Sequence, residues 1–298
     1  MAKPFRYWVI TFCALVSILS LRDVEAVERV YATVESVQMP AWFVRNGQRQ
    51  PLAPGKVLQN RDRVITGDDA RVLIRLAEGS AVKLGENAQL DLNALGRREN
   101  RIFTAALDVA KGAFRFTTGI FSRLHQHRAV NVRIATITAG IRGTDLWGSS
   151  DEERDLVCLL EGRISVFHPF AEGLEMSEPM SFYAARKGAA PQAVDKVDAE
   201  QMAKWAAETE VQQGSGYANR NGKWKLELAT VEGEVAALDL YDRARAAGYE
   251  VRIKPRATEA GYSYGIRVTQ LPSKAEAEIL GAKLIGVLGL DSPLVTRY

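Results

Sequence analysis

Two rhythms of apolar and polar positions divide the chain. From Val27 to about Ala190, short runs alternate residue by residue, as in Val72-Leu73-Ile74-Arg75-Leu76, Ala81-Val82-Lys83-Leu84 and Ala88-Gln89-Leu90-Asp91-Leu92. A period of two sends alternate side chains to opposite faces, so these runs predict β-strands with one buried face. Turns at Glu78-Gly79-Ser80 and Gly85-Glu86-Asn87 separate the three, which are expected to form a meander. Runs at 112–116, 130–134, 156–160 and 162–166 continue the series. Together they predict an all-β domain over residues 27–190, closed as a sandwich or rolled barrel that hides its edges.

After residue 219 the alternation is twice interrupted by helical spacing. A strand at Trp224-Lys225-Leu226-Glu227-Leu228 leads to a helix carrying Val235, Leu238, Leu240, Tyr241, Ala244 and Ala247 up to Gly248. A strand at Tyr264-Gly265-Ile266-Arg267-Val268 leads to a helix through Leu280, Leu284 and Leu288 to Gly289. Val251-Arg252-Ile253 and Leu294-Val295-Thr296 add two short strands. The order β-α-β-β-α-β over 219–298 predicts an α+β, ferredoxin-like module, with four antiparallel strands and both helices on one face. Alternation turns Leu226, Leu228, Val251, Ile253, Ile266 and Val268 toward the helices. It turns Glu227, Arg252, Lys254 and Arg267 toward the open face, which is a solvated surface or a binding surface.

The two parts are joined by residues 191–218. Asp198 caps an expected helix to Glu208, in which Met202 and Trp205 are spaced to pack back on the β-domain. Gln212-Gln213-Gly214-Ser215-Gly216 and Asn219-Arg220-Asn221-Gly222 read as a flexible joint. At the other end, Lys3 and Arg6 precede an apolar run from Tyr7 to Leu21 and the small-residue pattern Val24-Glu25-Ala26. Residues 1–26 read as a signal peptide cleaved near Ala26, because the run is short for a membrane span; an uncleaved inner-membrane anchor is the alternative. Either places the remainder outside the cytoplasmic membrane, in the periplasm, with no stable transmembrane span once the signal is cleaved.

Composition removes several function classes. Net charge is only +3, with basic and acidic residues interspersed, which is no footprint for nucleic acid. RNA-binding domains share the β-α-β-β-α-β order, but they stack bases on several strand aromatics, and Tyr264-Gly265-Ile266-Arg267-Val268 offers one. Of the 2 cysteines, Cys13 lies in the apolar run and Cys158 in a strand, so no internal disulfide is expected. His125 and His127 form a His-x-His pair, but flanking arginines disfavour a cation and only His168 remains as a third imidazole, so no metal or cofactor is expected. Asp151, Glu152 and Glu153 fall in a polar turn, and no nucleophile elbow or zinc-binding helix is present, so the expectation is a non-enzymatic protein.

Two resemblances sharpen this. Gly55, Asp62-Arg63-Val64-Ile65-Thr66-Gly67, the hairpin Leu76-Ala77-Glu78-Gly79-Ser80, and the run from Ile134 to Leu146 ending in Arg142-Gly143-Thr144 resemble the FecR domain, a periplasmic β-domain. Arg142-Gly143-Thr144 is expected to keep the fold: Gly143 through positive φ or close packing, Thr144 through a bond back to the main chain. The founding member's sigma-regulator role is not carried over, since no cytoplasmic segment precedes the apolar run. The stretch from Tyr264 to Ala277 and its counterpart from Trp224 to Val231 resemble the two halves of a SPOR domain. That family binds peptidoglycan glycan strands stripped of stem peptides. The resemblance implies a glycan face with Glu227, Arg252 and Arg267 as hydrogen-bonding groups and Tyr264 as an apolar contact at its edge. Glu227 stands where the family has Gln. An envelope protein is the implied partner of the β-domain. The alternative is a FecR-type signalling regulator whose C-terminal module docks protein and not glycan.

Overall fold

The computed structural model describes residues 30–97, 102–119, 128–259 and 261–297. The signal-peptide segment and the His125/His127 pair lie outside these residues. The strands of the first part are β1 (Ala32–Gln38), β2 (Ala41–Arg45), β3 (Gln48–Pro51), β4 (Val57–Leu58), β5 (Arg63–Thr66), β6 (Arg71–Leu76), β7 (Ala81–Leu84), β8 (Gln89–Arg97), β9 (Phe103–Thr117), β10 (Arg128–Ile134), β11 (Ile137–Ser150), β12 (Arg154–His168), β13 (Ala171–Met176), β14 (Ser181–Arg186) and β15 (Asp195–Lys196). Helix α1 (Ala199–Glu208) and β16 (Ala218–Asn219) follow, then β17 (Trp224–Glu232), α2 (Glu234–Ala246), β18 (Arg252–Thr258), β19 (Gly261–Leu271), α3 (Lys274–Leu288) and β20 (Leu294–Arg297).

The β-domain folds over because β9, β11 and β12 change partners partway along. The first half of β9 pairs with β8 and β10, and its second half with β7 and β11. β11 passes from β10 to β9, and β12 from β14 to β13. The corner of β11 and β12 is built from two glycines with positive φ, Gly143 at 73° and Gly162 at 92°. A Cβ on Gly162 would lie 2.2 Å from the Gly143 carbonyl oxygen, so the close approach admits only glycine. The ladder between β11 and β12 shifts register between Arg142 and Asp145, as at a bulge that bends a strand. Thr144 is fully buried here; its Oγ1 donates to the Arg163 carbonyl at 2.8 Å and its N–H to Thr118 Oγ1 at 3.0 Å. Arg142-Gly143-Thr144 is therefore a strand corner, in which Gly143 and Thr144 carry the fold.

The meander expected of β6, β7 and β8 is not formed. β7 pairs with β6 and β9, whereas β8 pairs with β5 and β9. The Gly85-Glu86-Asn87 turn carries the chain from one sheet to the other: Gly85 N–H donates to Ala113 O at 2.9 Å and Asn87 N–H to Gly67 O at 3.1 Å. Those bonds use main-chain groups that a hairpin would have paired within itself. The folded sheets enclose Phe103, Phe114, Phe116, Leu107 and Ile134. Asp155 is buried beside them and accepts from Thr136 N–H at 3.1 Å and Oγ1 at 2.5 Å, and also pairs with Lys187.

Helix α1 closes a second, smaller core. Trp205 stacks on Trp147 with ring centroids 4.7 Å apart and planes at 4°, and Met202 Sδ lies 3.8 Å from Cys158 Sγ. Burial pushes the Cys158 thiol up to about 12, so it stays protonated as a small core residue. Met202 and Trp205 pack back as their spacing predicted.

The joint differs from the expectation of flexibility. Its polar residues are taken up by specific partners instead of water: Gln212 N–H donates to Gln38 Oε1 at 3.1 Å, and Gly214 and Gly216 N–H each donate to the Glu276 carboxylate at 2.6 Å. β16 then pairs with β1, the Ala41 N–H donates to Gly248 O at 3.2 Å, and Lys283 pairs with Asp69 at 3.2 Å. The C-terminal module is docked on the β-domain. Its sheet runs β18-β19-β17-β20, antiparallel throughout, with α2 and α3 burying Ala237, Leu240, Ala244, Leu280 and Leu284 against it. Among the described residues no helix is long and apolar enough to cross a membrane.

Candidate binding face of the C-terminal sheet

One face of this sheet is covered by α2 and α3; the other carries the expected site residues. Register fixes which residues share that open face. Glu227 lies opposite Arg267, which lies opposite Arg252; Thr230 lies opposite Gly265, which lies opposite Lys254. The ladder shifts between Glu227 and Ala229, leaving Leu228 as an extra residue that still buries with Leu226. Lys254 continues the row set by Arg252, and Arg256 continues it further, opposite Ser263.

Glu227 sits beneath this face. It is 8 % exposed; Oε1 accepts from Thr230 Oγ1 at 2.7 Å, and Oε2 accepts from Arg256 Nη2 at 3.1 Å and lies 3.4 Å from Arg267 Nη2. A carboxylate so surrounded orients the two guanidiniums and has little left to offer a sugar hydroxyl. The Arg267 side chain is 12 % exposed; its Nε and Nη2 are buried without a hydrogen bond, Nη2 having only the ion pair to Glu227. Gly265 lets the pair close over the strand: it is buried, and a Cβ there would crowd Arg267 Nη2 at 3.3 Å and Glu227 Oε1 at 3.4 Å.

The sequence therefore placed Glu227, Arg252 and Arg267 on one face, and the structure brings them together, with Arg252 exposed. Tyr264 is different. It is opposite Val231, shares a face with Ile266 and Val268, and packs against the core under the helices. The expectation that Tyr264 edges the open face is corrected by that parity: only residues an even number of steps from Arg267 can join it.

Arg256 was missed. Its side chain is 53 % exposed and extends the Arg252, Lys254 row, but Pro255 reads as a strand breaker and the strand was expected to end at Ile253. β18 is an edge strand paired only with β19, where a proline can sit with its nitrogen toward solvent. The signal for Arg256 was the alternation of cations running through the proline.

Among the described residues no group of histidine, cysteine, aspartate and glutamate could hold a metal ion.

Comparison with known proteins bears on the β-domain. No curated protein matches the chain. Two crystal structures of a candidate anti-sigma factor from Parabacteroides distasonis ATCC 8503 align with it. One has 13 % identity and a TM-score of 0.41, covering 79 % of this chain and 99 % of that one. The other has 14 % identity and a TM-score of 0.41, covering 75 % and 90 %. The model of the FecR protein family matches residues 62–165, from the Asp62 motif through the Arg142-Gly143-Thr144 corner, so this part of the chain is similar to a FecR domain.

Proposed function

We propose that this is an envelope signalling regulator of FecR type, in which the β-domain and the C-terminal module both act by binding protein. The FecR match over residues 62–165 carries the reading. Physical chemistry supports it: Gly143 and Thr144 of the most distinctive motif are used up in a strand corner, and the buried Asp155 is neutralised by Lys187, which reaches it from the surface. What remains to act is surface, which is the property of a docking module and not of an enzyme. The N-terminal apolar run supports export to the periplasm.

Glycan binding by the C-terminal sheet is the second reading. It is favoured by the resemblance to SPOR repeats and by the β-α-β-β-α-β order with an open polar face. Against it, Glu227 is covered by two arginines and Tyr264 lies under the helices. Co-sedimentation of the full chain with purified sacculi, before and after amidase removal of stem peptides, separates the two readings. Protein docking predicts little retention in both cases. Retention that rises after amidase treatment overturns it in favour of glycan.

A further inference from the structure

The open face of the C-terminal sheet is far more basic than the chain that carries it. Arg252, Lys254 and Arg256 stand at alternate positions of β18, and Arg267 lies beside them on β19. Two carboxylates share the face: Glu227, which is occupied by Arg256 and Arg267, and Glu232, at the far end of β17 opposite Ser263. Lys254 makes no ion pair among the described residues, and Arg252 has only the attraction of Glu250 beyond contact distance; both are exposed. The whole chain has a formal charge of only +3, so this concentration of cations is local. Like charges in one row, only partly offset by Glu227 and Glu250, repel one another and are relieved where a further anion neutralises them.

We propose that this face docks an acidic segment of a protein partner in extended conformation. The inference rests on the reading that the C-terminal module binds protein. Alternate residues of a strand recur about every 6.7 Å, and so do alternate side chains of an extended peptide, so a segment with Asp or Glu at every second position meets Arg252, Lys254 and Arg256 in step. The buried Glu227 holds Arg256 and Arg267 in place beside Lys254. Pro255 removes an N–H from the edge of β18, which directs such a segment across the face instead of onto the edge. A nucleic acid would need a wider field than these cations supply, and the even charge of the rest of the chain does not extend it.

The test is fluorescence anisotropy of the full chain with a labelled peptide of alternating Glu and Thr. A Gln-for-Glu peptide and stem-peptide-free glycan strands are measured in parallel. The acidic peptide is expected to bind, the Gln peptide not, and affinity to fall with salt. Arg252→Gln and Lys254→Gln, both at exposed positions, should each weaken binding about threefold, and their combination about tenfold. Lys274→Gln, at the exposed start of α3, should leave binding unchanged. Lys254→Glu should lose the acidic peptide and gain one of alternating Lys and Thr. Acidic-peptide binding indifferent to Arg252 and Lys254 overturns this inference while leaving protein docking intact. Glycan binding that depends on the same two residues overturns both.

Discussion

Glu276→Gln tests whether the two modules are held as one body. Glu276 is 6 % exposed in the first turn of α3, where Ser273 caps the helix by accepting from the Glu276 N–H at 3.1 Å. A glutamate at this position commonly folds back on its own cap. Here the carboxylate instead accepts from Gly214 and Gly216 N–H at 2.6 Å each. A glutamine is nearly the same size, but its amide can accept from one of these donors only, and its NH2 group faces the other. One buried N–H is then unpaired and the remaining bond loses its charge. At about 1.5–3 kcal/mol for a hydrogen bond to a charged group, the replacement should cost about 2–3 kcal/mol at the joint. Hydrogen exchange at the Gly214 and Gly216 amides should accelerate by roughly 30- to 150-fold, and the transition releasing the C-terminal module should fall by about 5 °C or more. Unchanged protection at both amides would refute the account of the joint. Acceleration of these amides with no change in the amides of β17 and β19 would confine the effect to the joint, as the geometry requires.

Three further outcomes follow for the β-domain and helix α1. Asp155 is buried, which raises its pKa, but hydrogen bonds from Lys187, Thr136 and Ser150 outweigh burial and hold it below the ordinary 3.8. A depressed carboxylate stabilises the fold above its unfolded pKa and loses that contribution as pH falls through the folded value. Asp155→Asn should therefore cost about 3 kcal/mol at neutral pH, and the gap from the native protein should narrow in acid denaturation; a gap constant with pH would contradict the assignment. Gly162→Ala forces a side chain into positive φ and against the Gly143 carbonyl, so urea denaturation should show a loss of about 3 kcal/mol or more, against about 1–2 kcal/mol for Gly188→Ala, which has positive φ but nothing within 4 Å of the added Cβ. Trp205→Ala should remove the stack on Trp147, cost about 2–3 kcal/mol and abolish near-ultraviolet circular dichroism from the coupled indoles.

Much of the architecture was legible because one-sided burial writes itself into alternation. The strand-and-helix order of the C-terminal module and the packing of Met202 and Trp205 both follow from spacing. The corner role of Gly143 and Thr144 followed from what those side chains can and cannot do. Pairing was harder. Alternation says which side of a strand is buried but not which strand lies beside it, so β8 was taken for the partner of β7. Glycine and asparagine looked like hairpin residues at 85–87, yet their main-chain groups bind Ala113 and Gly67. The joint was misread for a related reason: its Gly-rich composition suits a free chain, and only the distant Glu276 turns it into a docked one. At the open face, parity correctly grouped Glu227, Arg252 and Arg267. The depth of Glu227 was hidden, because it depends on Arg256 beyond a proline.

The strands β9, β11 and β12 belong to both halves of the folded β-domain, which makes partial opening expensive. Neither half can be peeled away while the other survives, because each would take part of the same backbone with it. Proteolytic nicking of this domain should thus be all-or-none.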